Sequence, residues 1–162
     1  MTTETTVEEQ QQMVGDFWEG LATSFGIEAA AQNVAADEDS FEVNLNGDDK
    51  QLGLLIGPKG NHLAAIHEVC KTMLQRQLAG TDRARIRVDV GGYGSRRREA
   101  LQAYVHELAQ NVVSSGVEKG LEPMNAADRK VVHDAVNEID GVSTVSVGDE
   151  PRRRVVLVVA TD

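Results

Sequence analysis

The chain has one cysteine, three prolines and few aromatic residues, and its first 49 residues contain no lysine or arginine. A single cysteine, Cys70, excludes an internal disulfide framework and fits a reducing compartment. Cys70 falls on the apolar side of a helical pattern, where a thiol acts as a small core hydrophobe. The amino end lacks both a basic stretch and an apolar block, so no signal peptide is expected. No apolar run approaches the ~18 residues that a membrane-spanning helix needs. A cytoplasmic, soluble protein is the expectation. Its 162 residues suffice for one ordinary domain or two small ones.

The net charge of −10 argues at first against nucleic acid, but the charge is unevenly placed. Residues 1–49 hold 12 acidic and no basic residues, whereas residues 50–162 hold 14 acidic and 16 basic ones, a net of +2. The basic residues gather at Arg83-Ala84-Arg85-Ile86-Arg87, Arg96-Arg97-Arg98, Arg129-Lys130 and Arg152-Arg153-Arg154. Local positive patches, rather than overall charge, make phosphate contacts.

Hydrophobic spacing gives the elements. Residues 1–9 are assigned to a disordered end. A helical pattern runs from Val7 to Phe25, where Met13, Phe17, Leu21 and Phe25 recur every four residues with Val14 and Trp18 beside them, and Gly26 closes it. Residues 27–36 read as a weak strand, and Phe41-Glu42-Val43-Asn44-Leu45 as a half-buried one, with Asp37-Glu38-Asp39-Ser40 turning between them. A short helix carries Leu52, Leu54, Leu55 and Ile56. Leu63, Ile66, Cys70, Met73, Leu74 and Leu78 form the apolar face of a further helix, closed by Gly80. Residues 83–90 alternate strictly. Arg83, Arg85, Arg87 and Asp89 lie on one side, and Ala84, Ile86, Val88 and Val90 on the other. Gly91-Gly92-Tyr93-Gly94 reads as a linker. Ser95 then caps a helix bearing Leu101, Val105, Leu108 and Val112. Asn125 caps another with Val131, Val132, Ala135, Val136 and Ile139. Residues 142–147 and 154–160 read as a closing hairpin, with Val155 to Val159 as the best-buried strand.

Two constellations carry chemistry. Ile56-Gly57-Pro58-Lys59-Gly60-Asn61 places a Gly-x-x-Gly loop between two helices. Its glycines let another backbone come close. The N-terminus of the following helix favours phosphate, and Lys59 adds a cation. A GXXG loop in this setting is how a KH domain clamps about four nucleotides of single-stranded nucleic acid. A helix C-cap followed by a plain turn gives the same spacing without a ligand. Ile56 and Leu63 flank the loop and serve either as an apolar floor under bases or as core. The second constellation is Arg129 and His133, about 40° apart on one helix, with Lys130 beside them. Arginine grips phosphate with two parallel hydrogen bonds and an imidazole adds another. An internal role, with His133 bonded inside the fold and Arg129 paired to a carboxylate, is the alternative.

Catalysis is not expected. No nucleophile has an adjacent base. His62, His67, His106 and His133 show no metal-ligand spacing, and one cysteine adds little to them. No phosphate-loop Gly-Lys-Ser/Thr follows any of the glycine clusters. No cofactor, metal or small-molecule substrate is expected.

The two constellations together, in this order, resemble the bacterial Jag family, also called KhpB or EloR, the SpoIIIJ-associated proteins. The segment Gly53-Leu54-Leu55-Ile56-Gly57-Pro58-Lys59-Gly60-Asn61-His62-Leu63 resembles that family's KH core. Gly92-Tyr93 with Arg97-Arg98-Glu99, then Leu121-Glu122-Pro123-Met124, resemble its inter-domain segments. Asp128-Arg129-Lys130-Val131-Val132-His133 resembles its Arg-x-x-x-His signature, and residues 141–148 and 154–157 its closing hairpin. The resemblance covers residues 40–162 strongly and 10–39 loosely. It implies an α+β protein of two small domains, each with helices packed on a small sheet. These would be a KH domain over residues 10–91 and an Arg-x-x-x-His single-stranded nucleic-acid-binding domain over residues 92–162. It also implies RNA binding in the cytoplasm, post-transcriptional regulation tied to cell elongation and division, and a small separate KH protein as partner. An interaction scaffold or a ribosome-associated factor are the rival expectations. Two departures stand out. Pro58-Lys59 occupies loop positions where many relatives carry two basic residues, and the amino-terminal domain of many members is not found in this sequence.

Overall fold

The computed structural model describes residues 5–78 and 83–161. The chain divides into two compact units, Met1–Gly94 and Ser95–Asp162.

The first unit opens with α1 (Val7–Ser24). Its start is fixed by a reciprocal cap. The Thr6 hydroxyl accepts the N–H of Glu9 at 3.2 Å, and the Glu9 carboxylate accepts the N–H of Thr6 at 2.9 Å. Such a cap contributes about 1 kcal/mol, and α1 starts at Val7, where the helical pattern begins, so the disordered end assigned to residues 1–9 extends too far over residues 7–9. Residues 1–4 of that stretch lie outside the described residues. The buried stripe of α1 also differs from the expected column. Val14, Trp18 and Ala22 are fully buried, while Met13, Phe17 and Leu21 pack at the margin and Phe25 is exposed. The stripe is extended by two buried glutamines that hydropathy scores as polar. The Gln11 amide donates to the carbonyls of Glu42 (2.8 Å) and Ala35 (3.3 Å), and the Gln10 side chain accepts the N–H of Ala84 at 3.0 Å. Paired in this way, they enter the core with their polar groups satisfied.

Strands β1 (Ala29–Ala36), β2 (Ser40–Gly47) and β3 (Arg85–Val90) form a sheet in that order. β1 and β2 are antiparallel, and β2 and β3 are parallel. A parallel pair requires a long crossover. It is made by α2 (Asp49–Ile56), a 3-10 turn (Pro58–Gly60) and α3 (Asn61–Gln77). Asp48 caps α2 by accepting the N–H groups of Lys50 (3.1 Å) and Gln51 (3.2 Å). Phe41, Val43, Leu45, Leu52, Leu55, Cys70, Leu74, Leu78 and Val90 close the core. Each fully buried large side chain contributes roughly 1.5–3 kcal/mol. Leu54, expected with the other apolar residues of α2, is exposed. Gly80, expected to close α3, lies outside the described residues.

Two expectations around β3 are corrected. The strand begins at Arg85, and Asp89, assigned to the exposed basic side, is buried. Its carboxylate accepts the N–H of Gly94 at 2.9 Å. The glycine segment is therefore not a free linker: α4 (Tyr93–Ser115) already begins at Tyr93. Ser95 lies inside the helix, where its hydroxyl accepts from Arg98 at 3.2 Å. A buried carboxylate from the preceding strand holds the first turn of α4 in place of the serine, because a charged acceptor bonds backbone N–H more strongly than a hydroxyl does.

In the second unit, α4 and α5 (Ala126–Asn137) share a core with a sheet of order β4 (Lys119–Gly120), β6 (Arg154–Val159), β5 (Val142–Val147), all antiparallel. Leu101, Val105, Ala109, Val112, Leu121, Val132, Val136, Val142, Val155 and Leu157 fill that core. Asn125 caps α5, accepting the N–H of Asp128 at 2.9 Å. β6 is central, yet only Val155 and Leu157 are buried, while Val156 and Val158 remain half-exposed. Its helices cover one face only. The two-residue β4 carries no hydrophobic pattern and is not anticipated by the sequence. Both units have the α+β character that the sequence predicts.

Candidate nucleic-acid interface

The Gly57–Gly60 loop has a particular backbone. Gly57 closes α2 with φ 68°, and its N–H donates to Gly53 at 3.0 Å. Lys59 has φ 54° and Gly60 has φ 73°. Lys59 is the one non-glycine with positive φ among the described residues. For a residue with a Cβ this conformation costs about 1–2 kcal/mol, and strain of this kind gathers where a ligand is held. Ile56 is half-buried at the end of α2, Pro58, Lys59 and Asn61 are exposed, and Gly60 is buried. The residue at the cap position of α3 is Gly60, which has no side chain to accept the helix's first N–H groups.

Two rings explain why both loop ends are glycine. A Cβ on Gly57 would fall 2.3 Å from the His62 ring, and one on Gly60 would fall 2.8 Å from the Tyr93 ring. Both are closer than a real Cβ can approach. The His62 Nδ1 donates to the Leu54 carbonyl at 2.9 Å. That carbonyl can only accept, so Nδ1 is the donor of this bond. Neither ring is part of the predicted site. Their signal in the sequence is faint, since spacing from Gly60 to Tyr93 says nothing of contact.

The second constellation is assembled on α5. Arg129 is buried, with Nη1 donating to the Met124 carbonyl at 2.6 Å and Nη2 to the Glu150 carboxylate. His133 is half-buried. Its Nδ1 lies 2.5 Å from the Thr144 hydroxyl and its Nε2 2.9 Å from the Ser146 hydroxyl, both on β5. Lys130 is exposed and pairs with Asp134 at 2.6 Å. Next to Arg129, Asp128 receives Arg97 of α4 at 3.1 Å. The partners Met124, Thr144, Ser146 and Glu150 come from other elements, and local spacing does not reveal them.

The basic tracts differ in how they are engaged. Arg85 pairs with Asp39 at 2.7 Å, and Arg87 approaches Glu42 at 3.7 Å. Arg85 and Arg87 of β3 are thereby paired with carboxylates of the β1–β2 turn and of β2. Arg152, Arg153 and Arg154 are exposed and flank the segment that brings Glu150 to Arg129.

Elsewhere the titratable groups look structural. Burial pushes the Cys70 thiol up to about 11, against a weaker opposing contact from Trp18. Such a thiol is unreactive. Burial also lowers His67, while a hydrogen bond with the backbone of Ile86 opposes the shift. Among the described residues no cluster of three or more His, Cys, Asp or Glu is arranged to hold a metal ion, and no helix is long and apolar enough to cross a membrane.

The Arg-x-x-x-His domain family matches residues 99–158, a span that contains Arg129 and His133. RNA-binding protein KhpB of Streptococcus pneumoniae serotype 2 (strain D39 / NCTC 7466) is 32% identical over 131 residues, 81% of this chain and 38% of the relative. RNA-binding protein KhpB of Clostridium symbiosum is 32% identical over 135 residues, 78% of this chain and 59% of the relative. RNA-binding protein KhpB of Bacillus subtilis (strain 168) is 27% identical over 131 residues, 80% of this chain and 62% of the relative. The chain thus spans less than two thirds of the length of these curated relatives. The match runs through both units, and the Arg-x-x-x-His span falls in the second: the chain is similar to the KhpB (Jag) proteins over about four fifths of its length.

Proposed function

We propose that this chain is a bacterial RNA-binding protein that holds single-stranded RNA through a KH-type loop and an Arg-x-x-x-His site. The observation that carries the reading is the strained Lys59, held at φ 54° between Gly57 and Gly60 at the start of α3. The element order of the first unit supports a KH domain: helix, two antiparallel strands, helix, GXXG loop, helix, and a strand parallel to the second. Gly57 and Gly60 receive the sugar–phosphate backbone. Lys59 supplies charge, and the Asn61 end of α3 supplies the positive end of a dipole. Ile56 is the apolar edge of the clamp. Arg129, Lys130 and His133 form the second contact, supported by the exposed Arg152–Arg154 tract. Two weak sites on one chain reinforce each other through effective concentration when one RNA spans both.

The family resemblance extends the proposal to post-transcriptional control of cell elongation and division in the cytoplasm, with a small separate KH protein as partner. Leu54 and Val69, exposed at 54% and 59%, support a protein partner at α2 and α3. The relatives carry RNA-binding in their names, and this supports a binding role over catalysis.

The test is the affinity of short single-stranded RNAs for the wild-type chain and a Pro58→Asp/Lys59→Asp variant, at low and moderate salt. Both positions are exposed, so circular dichroism stays unchanged. Loss of binding by the folded variant, with a steep salt dependence in the wild type from counterion release, sustains the clamp. Equal binding by both proteins removes it and leaves the interaction scaffold as the better reading.

A further inference from the structure

We propose that Tyr93 and His62 are positioning residues of the RNA clamp, two rings that brace the GXXG loop from its two glycines. The proposal rests on the reading of that loop as an RNA clamp.

The loop needs support from outside itself. Three of its four residues have positive φ, and its internal backbone bond, from the N–H of Gly60 to Gly57, is long at 3.2 Å. A glycine-rich turn without further support samples many conformations, and each one lost on binding weakens affinity. Packing from the flanks supplies the constraint. The His62 ring lies where a Gly57 side chain would be, and its Nδ1 is tied to the Leu54 carbonyl in the last turn of α2. The Tyr93 ring covers Gly60, with Cε1 2.8 Å and the hydroxyl oxygen 3.2 Å from the position of an added Cβ.

Tyr93 is itself fixed. The buried Asp89 carboxylate bonds the next N–H, that of Gly94, and Gly91 packs close to Leu52 of α2, whose Cδ1 would lie 3.1 Å from an added Cβ. The segment from Gly91 to Gly94 thus runs from the end of β3 across α2 to the loop. It sets the height at which Gly60 presents its backbone. Substituting either ring for alanine opens a space beside a glycine of the clamp and releases the φ values on which phosphate approach depends.

The experiment compares wild type, Tyr93→Ala, His62→Ala, Tyr93→Phe and Pro58→Asp/Lys59→Asp. Amide NMR of Gly57, Lys59 and Gly60 without RNA reads the loop. Fluorescence anisotropy with short single-stranded RNA reads binding, and circular dichroism reads the fold. The expected result is that both alanine variants stay folded, move the loop amides and weaken RNA binding several-fold. Tyr93→Phe, which keeps the ring, restores what Tyr93→Ala loses. Loop amides at their wild-type positions in the alanine variants overturn the brace. So do displaced amides with undiminished RNA affinity while Pro58→Asp/Lys59→Asp abolishes binding. If the double aspartate variant also binds normally, the clamp itself is wrong, and the amide shifts alone then report the packing of the two rings.

Discussion

Glu150, on the connection between β5 and β6, closes on the nearly buried guanidinium of Arg129. Their side chains are 60% and 11% exposed. The other arm of the guanidinium is committed to the Met124 carbonyl at 2.6 Å. One half of the fork therefore belongs to the fold, and the other half meets an anion from the surface. A carboxylate and a phosphate oxygen make the same charge-assisted bond to arginine. In the proposed RNA complex, Glu150 competes for the arm that would receive phosphate. Glu150→Gln removes the competing charge while keeping an acceptor of the same shape. RNA affinity at low salt is expected to rise about three- to tenfold, up to ~1.4 kcal/mol. Unchanged or weaker binding would show that Glu150 holds Arg129 in place rather than competing for it.

The loop glycines carry a stability prediction separate from RNA. Gly60→Ala places a Cβ in the left-handed region and against the Tyr93 ring. The conformational part alone costs about 1–2 kcal/mol, and the ring must also move. Urea unfolding is expected to show a loss of at least that size. Gly53→Ala, in α2 and with nothing within 4 Å of an added Cβ, should be neutral or slightly stabilising, since alanine gains roughly 0.5–1 kcal/mol over glycine in a helix. Equal effects at the two positions would contradict the special backbone assigned to Gly60.

The helices and strands were largely legible because their signals are local. Asn125 announces its cap, Phe41, Val43 and Leu45 alternate, and residues 142–159 form a hairpin. The buried glutamines are not legible because their partners are distant in sequence. Gln10 and Gln11 enter the core because carbonyls and an N–H from β1, β2 and the approach to β3 meet them. Asp89 is buried because Gly94 needs an acceptor. The candidate site was legible as residue types and spacing. The groups around it were not, since Tyr93, Glu150, Thr144 and Ser146 reach it through tertiary structure alone.

Asp89 offers a direct check on how α4 begins. The carboxylate is only 5% exposed and meets the N–H of Gly94 at the positive end of a 23-residue helix. Asp89→Asn keeps the shape and an acceptor but removes the charge. A charge-assisted bond is worth roughly 1.5–3 kcal/mol and a neutral one about 1, so a loss of about 1 kcal/mol is expected. Hydrogen exchange at residues 93–96 should quicken more than at the middle of α4. A uniform change along the helix would point to a general loss of core packing instead.

His67 is expected to lower the stability of the first unit in mild acid. Burial is the leading cause of its lowered pKa. Lys71 lowers it further, while the Ile86 backbone bond and Glu68 oppose the shift. The ordinary value in the unfolded chain is 6.5. Below that value the unfolded chain takes up a proton that the folded chain resists, so the unfolded state binds more protons and stability rises with pH. The contribution is complete above 6.5 and is lost as pH falls through the window beneath it. Carboxylates with ordinary values near 4 titrate lower still, which leaves this window to histidine. The midpoint of urea unfolding should fall between about pH 7.5 and about pH 5.5 in the wild type, and His67→Gln should flatten that slope. A substituted chain that keeps the full slope would place the acid sensitivity in another group, and a midpoint that rises on acidification would mean that His67 gains a favourable partner when charged rather than losing water when buried.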